Sequence, residues 1–156
     1  MHRLNGDERV YRYMSGLPLT RGESEAQLER YRCHWDEHGF GLWALEEKSS
    51  GLLVGRSGLS FHRLWPADPE LGWMLDPDVW GCGYATEAGA AALHHAFARL
   101  ALERVVSIIH PENVTSFRVA ERLGIGPWRE VDWDANGITL QVWSTSRAQW
   151  SAEPRS

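Results

Sequence analysis

The segment from Trp80 to Ala88 constrains the fold of this chain more than any other. It reads Trp-Gly-Cys-Gly-Tyr-Ala-Thr-Glu-Ala, between an alternating apolar run (Leu71, Trp73, Leu75) and an alanine-rich segment with helical spacing. A glycine-rich turn that opens a helix presents several unpaired backbone N–H groups at one point, where the helix dipole also favours negative charge. The sequence therefore predicts a strand, a phosphate-binding turn and a helix in succession.

Length and composition indicate one globular domain over residues 1–156. The chain is 43% hydrophobic and 24% charged, as in folded proteins. Its net charge of −5, with no basic run, argues against a nucleic-acid binder. No apolar stretch is long enough to span a membrane. Two cysteines, Cys33 and Cys82, favour a reducing, cytoplasmic location over a disulfide framework.

The pattern of apolar and turn residues predicts a mixed α/β fold. A capping box at Thr20 and Glu23 opens the first helix, which should end at Gly39. Its apolar face carries Leu28, Tyr31 and Trp35. Strands are predicted at 40–46, 52–61, 70–75, 105–109, 129–133 and 138–144, a loop at 62–69, and further helices at 84–100 and 113–123. This order predicts a mixed sheet with helices on its faces.

The glycine turn does not fit the two most familiar nucleotide sites. A Walker loop ends in Gly-Lys-Ser/Thr, and this turn has no lysine. A dinucleotide fingerprint needs a third glycine and an acidic residue on the next strand, and strand 105–109 has none. The phosphate therefore belongs to another kind of ligand.

Three linked segments carry a family resemblance. They are Glu-Leu-Gly-Trp-Met-Leu-Asp-Pro at 70–77, the turn at 80–88, and His-Pro-Glu-Asn at 110–113 with the helix that runs to Gly124. Together the segments resemble the GNAT acyltransferase superfamily, in particular its RimJ/RimL-like N-acetyltransferases, over roughly Asp7 to Trp150. The resemblance implies a mixed, mostly antiparallel central sheet with helices on both faces and splayed central strands.

The same resemblance implies acetyl-CoA as the cofactor and no metal. Its pyrophosphate would lie on the backbone amides of Gly81, Cys82, Gly83, Tyr84, Ala85 and Thr86. The pantetheine arm would pair with the backbone of Met74 and Leu75 where the central strands separate. Asn113 would hydrogen-bond the arm from the start of the last helix. Glycines allow phosphate oxygens to approach the main chain closely, which suits a turn without Lys or Arg.

Acetyl transfer to an amine needs a group that accepts a proton and a group that donates one. Glu70 is the candidate base because it begins the strand whose far end would meet the thioester; the alternative is a solvated strand-end glutamate. Ser116 is the candidate acid, one helical turn after Asn113; the alternative is a serine that caps or packs. Many family members use a tyrosine later in this helix, where this chain has Ala120.

The sequence favours an N-acetyltransferase that moves acetyl from acetyl-CoA to a primary amine, either a protein N-terminus or a small amine. Direct attack in a ternary complex is expected because no enzyme nucleophile is evident. A catalytically inactive acyl-CoA-binding sensor or scaffold module is the alternative. Family members open with an extra strand and helix that have no counterpart before Asp7. Residues 40–46 would then form an exposed edge strand, and a homodimer or another partner that covers the edge stays open.

Overall fold

The computed structural model describes residues 2–14, 17–133 and 137–150. The helices are α1 (His2–Asn5), α2 (Glu8–Tyr11), α3 (Arg21–His38), α4 (Tyr84–His94) and α5 (Val114–Arg122). The strands are β1 (Leu42–Glu46), β2 (Leu53–His62), β3 (Trp65–Leu75), β4 (Arg104–Ile109), β5 (Gly126–Trp133) and β6 (Ile138–Ser146). The predicted order of elements is confirmed, and α1 and α2 precede it.

The described strands form one sheet in the order β1-β2-β3-β4-β6-β5. Its neighbours are antiparallel except β3 and β4, which run parallel and pair at one position, Glu70 with Val106. No ladder pair follows toward Leu75 and Ile109. The predicted splay of the central strands is therefore present, and β1 lies at an edge of the sheet, as expected for 40–46.

Helices cover both faces of the sheet. Leu59 and Leu71 belong to a buried cluster on one face, which α4 and α5 complete with Ala92, Leu93, Val119, Ala120 and Leu123. Arg56 lies on the opposite face, because strand side chains alternate, and its guanidinium is 5.1 Å from the ring centre of Tyr31 in α3. The sheet thus has an apolar side toward α4 and α5 and a more polar side toward α3.

The predicted capping box and helix stop of α3 are confirmed. The Thr20 hydroxyl accepts from the Glu23 amide at 3.3 Å, and the Glu23 carboxylate accepts from the Thr20 amide at 2.8 Å. The helix ends at Gly39, which has a left-handed φ of 71°. Leu28, however, is 40% exposed, so the predicted apolar face is narrower than expected. Trp35 anchors the helix instead, since its indole N–H donates to the Leu42 carbonyl at 3.0 Å.

Hydrogen bonds join α1 and α2 to the rest of the domain, together with the buried apolar side chain of Leu4. The Asn5 side chain is fully buried and donates to Gln27 of α3 at 3.0 Å. The Tyr11 hydroxyl donates to Asn5 at 3.3 Å and accepts from Gln27 at 3.2 Å. Arg3 pairs with the buried carboxylate of Asp76, directly after β3. The N-terminal segment is therefore held against both α3 and the end of β3.

The predicted loop at 62–69 is wrong, because β3 already begins at Trp65. Pro66 and Pro69 misled the prediction, since proline has no N–H for a strand ladder. Both lie between the positions where β3 pairs with β2, His62–Trp65 and Ser60–Glu70. No ladder bond is lost there, so the strand accommodates both prolines.

The predicted helix at 84–100 has two parts. The α-helix ends at His94, and a π-helical turn, His95–Arg99, follows it; the Leu100 amide donates to the His95 carbonyl at 3.0 Å. Small residues of this segment pack inward, because Ala88, Ala92 and Ala96 are buried. Gly89 permits the approach of α5, since a Cβ there would lie 2.5 Å from a methyl of Leu123.

Gly58 in the centre of β2 gives the first testable prediction. Its φ is 146°, and a Cβ would lie 2.5 Å from the Gly41 carbonyl oxygen and 3.0 Å from the Leu42 Cα. Gly58→Ala should therefore lower the free energy of unfolding by about 2 to 3 kcal/mol, the usual cost of overpacking. Urea denaturation measures this, with Gly126→Ala as the control, because a Cβ there meets nothing within 4 Å. Equal losses in the two variants would contradict the close approach of β1 and β2.

Candidate active site

The space between the separating ends of β3 and β4, called here the central gap, is lined by backbone groups of β3. The Leu71 carbonyl points into it and accepts from Ser107 of β4 at 2.8 Å, whereas the Gly72 carbonyl points to β2 and accepts from Ser57 at 2.9 Å. The backbone N–H and C=O groups of successive strand residues point in alternate directions. The backbone groups of Trp73 and Leu75 therefore face the gap, as that of Leu71 does.

The same alternation turns the Met74 backbone toward β2. Its register partner there is Arg56. The geometry therefore does not support the predicted backbone contact of Met74, while it supports Leu75 and adds Trp73. Counting the alternation outward from Glu70 in the sequence could have separated these positions.

Trp80 covers the far end of β3. Its indole N–H donates to the Leu75 carbonyl at 3.0 Å, and the residue is 50% exposed. A carbonyl oxygen has two lone pairs, so Leu75 can accept a further hydrogen bond from the gap. Sequence reasoning placed Trp80 in the glycine turn without assigning this contact.

The glycine turn has the backbone geometry of an anion-binding site. Gly81 and Gly83 have φ of 83° and 85°, values that other residues rarely adopt. Gly83 is the N-cap of α4 and has no side-chain cap. Among the described residues, none accepts a hydrogen bond from the amides of Gly81, Gly83, Tyr84, Ala85 and Thr86. The amide of Cys82 differs, because it donates to the Val79 carbonyl at 3.3 Å.

Tyr84 holds this turn against the hairpin between β1 and β2. Its hydroxyl donates to the Glu47 carboxylate at 2.9 Å, and Ser50 donates to the same carboxylate at 2.6 Å. The hydrogen bonds from Ser50 and Tyr84 lower the pKa of Glu47, and the bond to Glu47 raises the pKa of Tyr84. The Tyr84 side chain is therefore a structural tether, and only its backbone remains available for a ligand.

Glu70 lies on the α3 side of the sheet, at the point where β3 and β4 begin to separate. Its carboxylate accepts a hydrogen bond from the Ile108 amide. Burial raises its pKa from 4.5 to about 7, although the Ile108 hydrogen bond and the positive charge of Arg56 act in the opposite direction. A carboxyl that titrates near neutral pH can accept and release a proton under working conditions. The alternative, a fully solvated strand-end glutamate, does not fit this environment.

Ser116 lies on the opposite side of the sheet, on α5. Its hydroxyl oxygen accepts from the indole N–H of Trp73 at 3.3 Å, which leaves the hydroxyl proton available. Asn113 is the N-cap of α5, and its side-chain oxygen accepts from the Ser116 amide at 3.1 Å. The predicted pair thus lies together, but the Asn113 oxygen serves the cap and only its amide nitrogen can face a ligand.

Glu70 and Ser116 therefore flank the central gap from opposite faces. Glu70 and Trp73 occupy positions of opposite parity on β3, so their side chains point to opposite sides of the sheet, and Trp73 contacts Ser116. A reactive group held in the gap is accessible to a carboxylate from one side and to a hydroxyl from the other.

The described ranges, 2–14, 17–133 and 137–150, contain no candidate metal site: no group of three or more His, Cys, Asp or Glu side chains is placed to hold a metal ion. No helix in these ranges has the length and hydropathy needed to cross a membrane.

A mixed sheet whose parallel central strands separate beside a glycine-opened helix defines the GNAT class of acetyltransferases. Residues 1–125 match the family model of the acetyltransferase (GNAT) domain. The uncharacterized protein YkkB of Bacillus subtilis is 30% identical, covering 78% of this chain and 71% of YkkB. The chain belongs to the GNAT acetyltransferase family and is an acetyltransferase.

Solved structures agree in fold. An acetyltransferase from Agrobacterium tumefaciens superimposes with a TM-score of 0.77 at 27% identity, covering 92% of this chain and 81% of that one. A spermidine N-acetyltransferase from Vibrio cholerae, in complex with CoA and spermine, gives a TM-score of 0.75 at 17% identity, covering 95% and 88%. At that identity the second similarity shows the fold alone.

The raised pKa of Glu70 predicts a pH dependence of stability. Between its ordinary value of 4.5 and about 7, the folded protein holds a proton that the unfolded chain releases, so the free energy of unfolding falls as pH rises through this range. Glu70→Gln removes this loss. Relative to the wild type, the variant should gain stability between about pH 5 and pH 8. Urea denaturation across this range measures it, and parallel curves for the two proteins would contradict the buried state of Glu70. Glu46→Gln, at an exposed position of β1, is the control.

Proposed function

We propose that this protein is an acetyl-CoA-dependent N-acetyltransferase of the RimJ/RimL-like type, acting on a primary amine by direct attack in a ternary complex. The acceptor is a protein N-terminus or a small amine. The observation that carries the proposal is the central gap, flanked by Glu70 on one face and Ser116 on the other. The free thiols of Cys33 and Cys82 support a cytoplasmic location.

The residues present suit acetyl-CoA as the acetyl donor. The unpaired amides of Gly81, Gly83 and the first turn of α4 suit its pyrophosphate, since a helix N-terminus stabilises negative charge. The backbone of Trp73 and Leu75 can pair with the amides of the pantetheine arm in the central gap. The Asn113 amide nitrogen can donate to the same arm from α5.

The chemistry needs two proton transfers and no enzyme nucleophile. The ammonium of the acceptor loses a proton to Glu70, and the neutral amine then attacks the thioester carbonyl. A C–N bond forms and the C–S bond breaks, so the electron pair leaves with sulfur. Ser116 donates its proton to the departing thiolate and regains one from solvent, while the nitrogen, positively charged after the attack, releases its second proton to solvent. The products are an N-acetylated amine and CoA, with one proton released to solvent.

The opposed acid and base distinguish this proposal from an inactive acyl-CoA-binding module. A sensor needs the glycine turn and the central gap, but it needs neither a carboxyl with a near-neutral pKa nor a hydroxyl across the gap from it. The motif at 70–77 supports the RimJ/RimL-like branch, whose acceptors are protein N-termini. The fold shared with a spermidine N-acetyltransferase supports a small amine.

The experiment is a CoA-release assay with acetyl-CoA and a panel of amines, including peptides, polyamines and amino acids. Glu70→Gln and Ser116→Ala should each lower kcat by about 100-fold, the usual contribution of a positioned acid or base. The KM for acetyl-CoA should stay unchanged, because Glu70 acts on the acceptor amine and Ser116 acts on the sulfur only as the C–S bond breaks. Exposed neighbours provide the matched controls Glu46→Gln and Thr115→Ala.

The pH profile gives an independent test of the base. Glu70 must be ionised to accept a proton, so kcat/KM should fall as pH drops below about 7, and this limb should disappear in Glu70→Gln. Tight binding of acetyl-CoA with no turnover of any amine would instead identify an inactive module. Equal turnover by the wild type and Glu70→Gln would remove Glu70 from the mechanism.

A further inference from the structure

A hollow lies on the α3 side of the sheet, between β2 and β3. Gly58 and Gly72 are directly opposite each other in these strands, and the pairs Ser60–Glu70 and Arg56–Met74 lie two positions away on either side. A Cβ at Gly72 would meet nothing within 4 Å. This space, the glycine hollow, therefore separates Glu70 at one end from Arg56 at the other.

Arg56 is an uncompensated charge at one end of the hollow. The residue is 8% exposed, and its Nε is buried with no hydrogen-bond partner. Among the described residues, no carboxylate lies within 4.0 Å of its guanidinium. Its contact is the ring of Tyr31, at 5.1 Å. Buried charges in folded proteins are paired, because an unpaired one is costly.

The tip of the Arg56 side chain is accessible to a ligand. Its terminal nitrogens make no hydrogen bond to a described residue, yet only Nε of this side chain is fully buried without a partner. Solvent therefore reaches the terminal nitrogens. A guanidinium presents its donors in a planar fork that matches a carboxylate in a bidentate arrangement.

We propose that the glycine hollow is the acceptor subsite and takes a small amine that carries its own carboxylate, an amino-acid-like zwitterion. The proposal rests on the proposed function, because Glu70 accepts the proton of the amine while Arg56 binds the carboxylate. The rows of Glu70 and Arg56 are four residues apart along the strands, about 13 Å. A small molecule and the two side chains together can bridge this separation.

Charge selects among the amines that a GNAT enzyme could acetylate. A polyamine would place a second cation near Arg56, which is unfavourable in a poorly solvated site. A protein N-terminus has an amide in place of the carboxylate and leaves the guanidinium unpaired. A zwitterion satisfies both ends of the hollow, so it is the acceptor class that the charges favour.

The test compares L-leucine and L-phenylalanine with leucinamide and phenylalaninamide in the CoA-release assay. The amides keep the amine and the side chain but lack the carboxylate. The wild type should show a kcat/KM for the acids at least about tenfold higher than for the amides, as a charge-assisted hydrogen bond allows. Arg56→Met should remove this preference through the KM of the acids. Arg56→Lys, which keeps the charge but not the fork, should retain part of it.

Gly72→Ala tests the hollow itself. The added methyl enters open space, so the fold should keep its melting temperature while the KM for the acids rises. The KM for acetyl-CoA should not change. Gly126→Ala, which also meets nothing within 4 Å, should leave both values at those of the wild type. If Arg56→Met fails to fold, Gly72→Ala and Arg56→Lys still decide the test.

Several outcomes would overturn the proposal. Amides or spermidine turned over as fast as the acids by the wild type would exclude a carboxylate subsite. Equal effects of Arg56→Met on acids and amides, with a shifted pH profile, would make Arg56 a positioning residue for Glu70 instead. If no amine is acetylated, the melting temperature of the CoA complex is measured with and without L-phenylalanine. An increase that L-phenylalanine causes and Arg56→Met removes supports the subsite, although the proposed function then fails. No increase rejects the subsite.

Discussion

The candidate site is arranged around the separation of β3 and β4. These two strands pair at Glu70 and Val106 alone. Ser107 and Ile108 bridge the strands at the closed end, through the Leu71 carbonyl and the Glu70 carboxylate. Beyond that point the unpaired edge of β3 becomes a row of backbone groups that a ligand can use. An unpaired strand edge inside a sheet would otherwise be costly.

The two faces of the sheet give this gap its chemical asymmetry. The face toward α4 and α5 is mainly apolar, and its polar side chains, Ser57, Ser107 and Ser116, are hydrogen-bonded to β3. The face toward α3 is more polar, because Glu70 and Arg56 lie on it beside Tyr31 of α3. Burial raises the pKa of Tyr31, so its phenol stays protonated, whereas burial brings the pKa of Glu70 to about 7. In the proposed mechanism, proton acceptance and proton donation therefore take place on opposite sides of the sheet.

The sequence predicted the features that depend on local chemistry. The capping box at Thr20, the left-handed stops at Gly39 and Gly124, and the glycine turn all follow from neighbouring residues. The order of elements followed from hydrophobic periodicity, and the splay followed from the family resemblance. The prediction of a loop at 62–69 was wrong, because Pro66 and Pro69 argue against a strand. Whether a proline falls at an unpaired position depends on the register of two strands, which the sequence does not show.

The candidate site was predicted in part for the same reason. Glu70, Ser116 and the turn residues carry recognisable types at recognisable spacings. Trp73 and Arg56 carry no such signal, because their roles arise from contacts across the sheet. Met74 was assigned to the central gap, although strand alternation turns its backbone toward β2. The position of Gly72 between Glu70 and the Arg56–Met74 pair, which leaves the glycine hollow open, appears only when the pairing of β2 and β3 is known.

A crystal structure of the protein with CoA would test this arrangement. The pyrophosphate should lie against the amides of Gly81, Gly83 and the first turn of α4. The pantetheine arm should lie between β3 and β4, paired with Trp73 and Leu75, with the thiol between Glu70 and Ser116. CoA bound elsewhere on the surface, or a central gap closed by continuous pairing of β3 and β4, would contradict it.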